Sequence, residues 1–511
     1  MVKLLCIKIF EINERGKIMK KVLCMVLVLL MLLPFVVACA DNNGDTPADT
    51  TTAAPATQDT TAGTATGETT PAETTEQKIQ ADIPDVQYKG YTFLIANDYA
   101  DATKYTSNLI VSDTQTGEPI NDAIYARTVL VEDQFGIELV EEDIDVNPYV
   151  TVIQSGEDTY AIVTADLSNV MNVVNKGLTL DFNDVDTIDL SKPWWDQNAA
   201  AKLHINGALY YHFSDFFITG LDNSRATYFN KDLVKDLALE SPYQLVTDGK
   251  WTIEKMREMA AAATSDLDGV DGISTTDRVG LANNAVTFYE AMLTGCDAEI
   301  VKMGKDDLPY FCCYDDKDFF VNVYQTLLNT FGDSSVYLIA KTEDARNMFI
   351  NGQLLFMVDT LYMASRSRQA DINFGILPIA KWDEAQENYL HVSPNPHAMM
   401  IPSVTKDLDR TGVLLEALSY YSSAHYSDEA LIPAYFENSL RYKSTTDNES
   451  ADMLVIIHDN ISYVNKVNGT QLSGLIYDYF ELGKLDIMSG IKKLETPQKK
   501  SLQKVLDSLS K

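Results

Sequence analysis

The sequence predicts an α/β protein of two lobes, set behind a leader and a long polar tract. Three observations predict it. An apolar run stops at Cys39 and drops straight into "ADNNGDTP". About 430 of the 511 residues follow the polar tract, too many for one compact core and natural for two. Directly after Gly90 the patterning alternates strand, helix, strand, helix, strand, as in a parallel sheet with crossover helices.

The leader comes first. Lys20-Lys21 precede an apolar segment from Val22 to Val37, which closes on Val36-Val37-Ala38-Cys39. A basic region, an apolar region and small residues before a cut site make a secretory signal. The segment is short for a bilayer span, which takes roughly 20 apolar residues, and Pro34 interrupts it. Val-Val-Ala-Cys resembles the lipobox of bacterial lipoproteins. That resemblance implies cleavage before Cys39 and lipid on its thiol and amine, with the body on the outer face of the cell membrane. An uncleaved anchor helix is the alternative. Residues 1–38 are thus expected to be signal peptide, with Met19-Lys20-Lys21 a more natural start than Met1. Residues 39–80 are rich in Thr, Ala, Pro and acid and have almost nothing to bury, so they cannot offset their own ordering entropy. They read as a flexible tether of ~40 residues spanning ~35 Å on average.

Charge narrows the partners. The chain carries a formal −34, and its leader holds six basic and two acidic residues, so removing the leader gives −38. This argues against nucleic acid and against adsorption on anionic lipid, and suits a solvated extracellular protein. Of six cysteines, Cys6 and Cys24 leave with the leader and Cys39 is the anchor. Cys296, Cys312 and Cys313 are left, an odd number without metal spacing. Cys296 pairs with a neighbour or all three are buried thiols.

Within the body, "YTFLIAN" reads as a buried strand. In "EPINDAIYARTVLVEDQFG", Asn121 or Asp122 is expected to cap a helix, with Ile124, Val131 and Phe135 on one face and Gly136 at its stop. "IELVEED", a short helix near Val150–Gln154, and "YAIVTA" complete the unit. In open α/β sheets ligands sit beyond the carboxyl ends of the strands. That points to Asn97-Asp98-Tyr99 and to Asp166.

Five further fragments carry a resemblance. Asn206-Gly207-Ala208-Leu209-Tyr210 is followed by Phe229-Asn230-Lys231-Asp232-Leu233 and Trp251-Thr252-Ile253-Glu254. "MFINGQLLFMVDTLYM" and "HAMMIPSVTKDLDRTGVLLEALSYYSS" come later. In this order and spacing they resemble the extracellular solute-binding proteins of carbohydrate ABC transporters, the family that includes maltose-binding protein, over most of Tyr91 to Ser423. The resemblance implies a two-lobed, type II periplasmic-binding-protein-like fold with a hinge and an interlobe ligand cleft. Lobe one would be 84–213 with 398–440, and lobe two 214–397 with 441–511. It implies a carbohydrate ligand, ABC permease subunits as partners, a monomer, and no catalysis by this chain. The alternatives are a surface sensor or a binder of peptides or polyols, and, further off, a tethered glycoside hydrolase.

A sugar presents C–H faces and a rim of hydroxyls, so its site needs aromatic plates and planar polar groups. Trp194, Trp195 and Asp196 hold two of the four tryptophans beside an acid, Trp195 being the favoured plate. The plainer reading packs one indole in the core and the other at the lobe edge. Asp222 and Asn223 stand where the family's second lobe often offers a carboxylate, and Asp359 and Tyr362 where it places a polar turn and a stacking aromatic. Phe216 and Phe217 serve equally as hinge packing. His397 near Asn395 reads as structural.

"SDLDGVDGISTTD" resembles a calcium loop through Asp266, Asp268, Asp271 and Asp277. Val270 stands at its fifth place and Asp277 at the twelfth, where a bidentate Glu is wanted, so a plain acidic turn without cofactor is the expectation. A glycosidase needs two carboxylates ~5–10 Å apart. Among 74 acidic residues, pairs such as Asp315-Asp316 are inevitable. No Gly-x-Ser-x-Gly or His-Glu-x-x-His occurs, and six scattered histidines argue against a zinc centre.

Overall fold

Apolar residues on both faces of "TFLIAN" decide where the first strand lies. Phe93 and Ile95 join a cluster with Val131, Phe135, Leu414 and Leu418, while Leu94 and Ala96 face Tyr149 and Val163. A strand covered on both faces belongs inside a parallel sheet. The computed structural model describes residues 78–98, 109–333, 335–368, 370–442, 445–446, 448–463 and 470–509. The leader and nearly all of the tether, with Cys39, lie outside them. From Thr75 to Lys511 the chain forms one compact unit.

The strands in chain order are β1 (Thr92–Asn97), β2 (Glu138–Asp143), β3 (Ile162–Asp166), β4 (Arg225–Asn230), β5 (Val279–Asn283), β6 (Val301–Met303) and β7 (Pro309–Phe311). Then follow β8 (Tyr337–Ile339), β9 (Leu354–Thr360), β10 (Phe374–Leu377), β11 (His391–Ser393), β12 (His397–Met400), β13 (Arg441–Tyr442), β14 (Thr445–Thr446) and β15 (Ile461–Tyr463). One sheet has the order β12-β3-β1-β2, with β1 parallel to β2 and β3 and β12 antiparallel to β3. The other has the order β10-β4-β9-β5-β8, parallel through β9, β5 and β8 and antiparallel at β4 and β10. Each sheet is the centre of one lobe.

Local signals set the helices. Helix Pro119–Phe135 starts earlier than the sequence reading placed it. Glu118, not Asn121 or Asp122, is its N-cap and accepts from the Asn121 N–H, with Pro119 in the first turn. Its end is as expected: Gly136 adopts φ 64°, the left-handed position that stops a helix. Asp166, Asn230 and Asn284, each at a strand's carboxyl end, cap the helices Leu167–Val174, Lys231–Asp236 and Ala285–Gly295. Gly280 on β5 admits helix Ile253–Ala263 at close range, since a Cβ there would meet the Ala260 carbonyl oxygen at 1.9 Å. Cys296, Cys312 and Cys313 are buried free thiols. Among the described residues no helix is long and apolar enough to cross a membrane.

The chain passes between the sheets three times. Phe213 to Ser224 leads into β4 and includes the short helix Thr219–Asp222, and Pro394 to Pro396 leads from β11 into β12. The third passage runs from helix Leu431–Leu440, which packs on helix Pro119–Phe135, to helix Asn448–Asp459, which packs on β10.

Candidate functional site

Beyond β1 and β3 the carboxyl ends gather acids, at the place where open α/β sheets hold ligands. The Asn169 amide bridges two of them, donating to Asp98 Oδ2 at 2.6 Å and to Asp166 Oδ2 at 3.0 Å. Burial raises the Asp98 pKa; Asn169 opposes this, while Asp166, Asp145 and Asp143 add to it. Asn97 faces inward, bonded to Glu141 and Thr164. Tyr99 lies outside the described residues. Tyr149, on helix Val146–Gln154, is completely buried, and its hydroxyl has no hydrogen-bond partner.

From Asp166 a line of contacts runs across the crossing. His397 stands opposite Asp166 in the β12–β3 register. Its backbone N–H and carbonyl both meet Thr219 Oγ1 at 3.2 Å. Asn223 Nδ2 donates to the Thr219 carbonyl at 3.0 Å, and the Tyr362 N–H donates to the Asp222 carbonyl at 3.1 Å. These contacts bring together the three separate stretches that hold Asp166, Asn223 and Tyr362. Asn223 and Tyr362 are half-buried.

Two of the chosen acids are committed to the fold. Asp222 is 5% exposed and accepts from the Tyr435 hydroxyl at 2.8 Å. Asp359 is 2% exposed and held by the Arg346 fork at 2.6 and 3.0 Å, with Arg225 at 3.9 Å.

A cavity of about 230 Å³ borders the first passage. Trp195, Asp196, Phe213, Asp215, His458 and Tyr463 are among its lining. It is smaller than the roughly 300–1,000 Å³ of common ligand pockets. Tyr463 stacks on Phe213 at 4.0 Å and donates its hydroxyl to Asp196. His458 lies between Asp459 at 3.0 Å and Asp215 at 3.6 Å. Burial works against its charge, but the two carboxylates outweigh it and lift its pKa to about 10.

A family profile described as bacterial extracellular solute-binding protein matches residues 132–431, more than half of the chain. The chain belongs to the bacterial extracellular solute-binding proteins. No curated protein matches it. Among solved structures, a cyclo/maltodextrin-binding protein complexed with maltotetraose superposes with a TM-score of 0.53 at 13% identity, over 82% of this chain and 96% of that one. A sugar transporter from Rhizobium etli in an open conformation gives 0.52 at 15%, over 82% and 99%. A family 1 solute-binding protein from Bifidobacterium longum subsp. infantis gives 0.50 at 14%, over 83% and 99%. At these identities the likeness is one of fold, the two-lobed type II arrangement.

In this solute-binding protein the tryptophan pair is placed differently from the sequence expectation. Both indoles are fully buried, and both N–H groups donate to Glu416 at 2.8 Å. Trp194 packs edge-on against Tyr420. Trp195 borders the cavity without offering an open face. The missed residue is Glu416, 5% exposed. Its signal was legible: a lone acid within the apolar run "VLLEALSYY" demands buried donors. Phe216 is core, with the Arg127 guanidinium over its ring, while Phe217 lines the cavity. Asp266, Asp268 and Asp277 converge, without Asp271. Asp277 is already occupied by the N–H groups of Leu267, Asp268 and Ser274, the arrangement of a braced acidic turn.

Proposed function

We propose that this protein captures a carbohydrate between its lobes and delivers it to an ABC permease. The lobes are 84–213 with 398–440 and 214–397 with 441–511. The observation that carries the reading is the polar path across the crossing. Asp98, Asp166 and Asn223 supply planar groups that take hydroxyls in pairs, and Tyr362 supplies a ring for a C–H face. The sugar-binding proteins of the same fold support it. Contacts from both lobes favour the closed state, and the ligand shifts the equilibrium only by its differential affinity for closed over open. The chain performs no bond-making step in this reading; Asp222 and Asp359 are committed to holding the fold. Cys39 anchors the protein in the membrane through lipid, with residues 39–80 as its leash.

The test is a thermal-shift screen of the purified protein against mono- and oligosaccharides, with peptides and polyols beside them. A ligand at 100 times its dissociation constant adds about 2.7 kcal/mol. A saccharide that raises the midpoint, and does so less in Tyr362→Ala, supports the reading. A response to peptides alone overturns it.

A further inference from the structure

We infer that the solute carries a protonated amine, seated between Asp98 and Asp166 beside the Tyr149 hydroxyl. For its sugar part this rests on the carbohydrate reading, and it narrows that reading to amino sugars with a free amine. Four carboxylates, Asp98, Asp143, Asp145 and Asp166, crowd the ends of three neighbouring strands. Among the described residues no Lys, Arg or His side chain forms an ion pair with Asp98 or Asp166. Asn169 uses both its amide hydrogens on these two acids and adds no charge. Burial holds the neighbouring His397 neutral, lowering its pKa to about 4 against the pull of Asp166. Half-buried carboxylates left without a cation are costly, and an incoming cation relieves that cost.

The second observation is independent of the acids. Tyr149 is 0% exposed, its oxygen is unpartnered, and it lies in the field of both Asp98 and Asp166. A buried hydroxyl without a partner calls for an explanation, and a bound donor supplies one. An ammonium suits all three groups, because it only donates and these oxygens accept. A metal ion suits them less. Among the described residues the one convergence of three metal-type side chains is Asp266, Asp268 and Asp277, and neither Asp98 nor Asp166 belongs to it.

The test is calorimetry on the purified protein with matched mono- to trisaccharides of glucose, glucosamine and glucuronate units. Spermidine and calcium chloride are the sugar-free cations. The glucosamine set should bind ~10-fold tighter than the glucose set, the scale of one charge-assisted hydrogen bond, and the glucuronate set not measurably. That ratio should fall to within about twofold in Asp98→Asn and in Asp166→Asn. Tyr149→Phe keeps both charges and should lose only part of the ratio, so it carries the test if either Asn variant folds poorly. Equal binding of glucose and glucosamine sets, or a ratio that survives both Asn variants, overturns the amine and leaves the carbohydrate reading intact. Spermidine binding without any sugar keeps the amine seat and overturns the carbohydrate reading. Calcium binding lost in Asp98→Asn assigns a metal and overturns the amine. Silence from every probe overturns both.

Discussion

The two sides of the interlobe crossing treat their acids in opposite ways. On the lobe-two side Asp359 is gripped by the Arg346 fork, and Arg225, Glu290, Glu343 and Arg366 extend the pairing. On the lobe-one side Asp98 and Asp166 share a neutral amide. A buried carboxylate whose partners the fold supplies holds the fold; Asp98, half-buried with one neutral amide donor, still has capacity for a solute. Burial and partners, not the residue type, separate the two roles.

The largest test of that contrast breaks the paired side. Arg346→Ala leaves Asp359, 2% exposed, with Arg225 at 3.9 Å and the Thr360 N–H, and removing the main partner of a buried pair costs about 3–5 kcal/mol. Urea denaturation should show a midpoint lowered accordingly. A loss under about 1 kcal/mol, the size of a surface pair, would place Asp359 among the uncommitted acids.

Glu416 gives the next effect, and it concerns a third arrangement, a buried acid that neutral indole donors hold in the fold. Burial raises its pKa, and the bonds from Trp195 and Trp194 bring it part of the way back. Glu416→Ala orphans two buried indole N–H groups at roughly 1–3 kcal/mol each, a loss of about 2–6 kcal/mol. Glu416→Gln retains an acceptor and should lose less. Tryptophan near-ultraviolet circular dichroism follows the loosening, and an unchanged spectrum in Glu416→Ala would mean that the indoles are held by other packing.

What the sequence made legible follows from the range of the interactions. Periodicity exposed β1 to β3, and topology then named Asp98 and Asp166, because the strand-end rule needs only local order. Gly136 marked the helix stop for the same reason, whereas the start was missed because a Glu cap is weaker as a signal than the nearby Asn121 and Asp122. The tryptophans misled because their partner stands more than 200 residues away. The fork on Asp359 comes from a separate helix, Thr342–Ile350, and no spacing rule relates the two. Tyr149 has no such signal, since an unpartnered hydroxyl is a property of packing and has no signature in the chain.

A smaller effect tests the unpaired side. Burial and like charges raise the folded pKa of Asp98, so its ionised form works against folding at neutral pH and the opposition fades as the pH falls. Asp98→Asn should therefore leave the ligand-free protein as stable or slightly more stable, by no more than about 1 kcal/mol. A large loss on the scale of Arg346→Ala would erase the distinction between the two sides.

The smallest effect comes from His458, where a cation does face acids near the crossing. Its pKa is lifted from 6.5 to about 10, with burial opposed by the pull of Asp215 and Asp459. A folded pKa above the unfolded one stabilises at low pH, so this contribution is complete below about pH 6.5 and disappears as the pH rises through about 10. The side chain is 29% exposed, so solvent screening holds the effect to about 1 kcal/mol or less. Asp98 and the other acids titrate on their own account, but their contributions cancel when wild type and His458→Gln are compared at each pH. The wild type should lead below pH 6.5 and lose that lead towards pH 10 in urea midpoints. A constant gap across the window would mean that His458 packs there without charge, leaving Asp215, like Asp98, a half-buried acid without a cation.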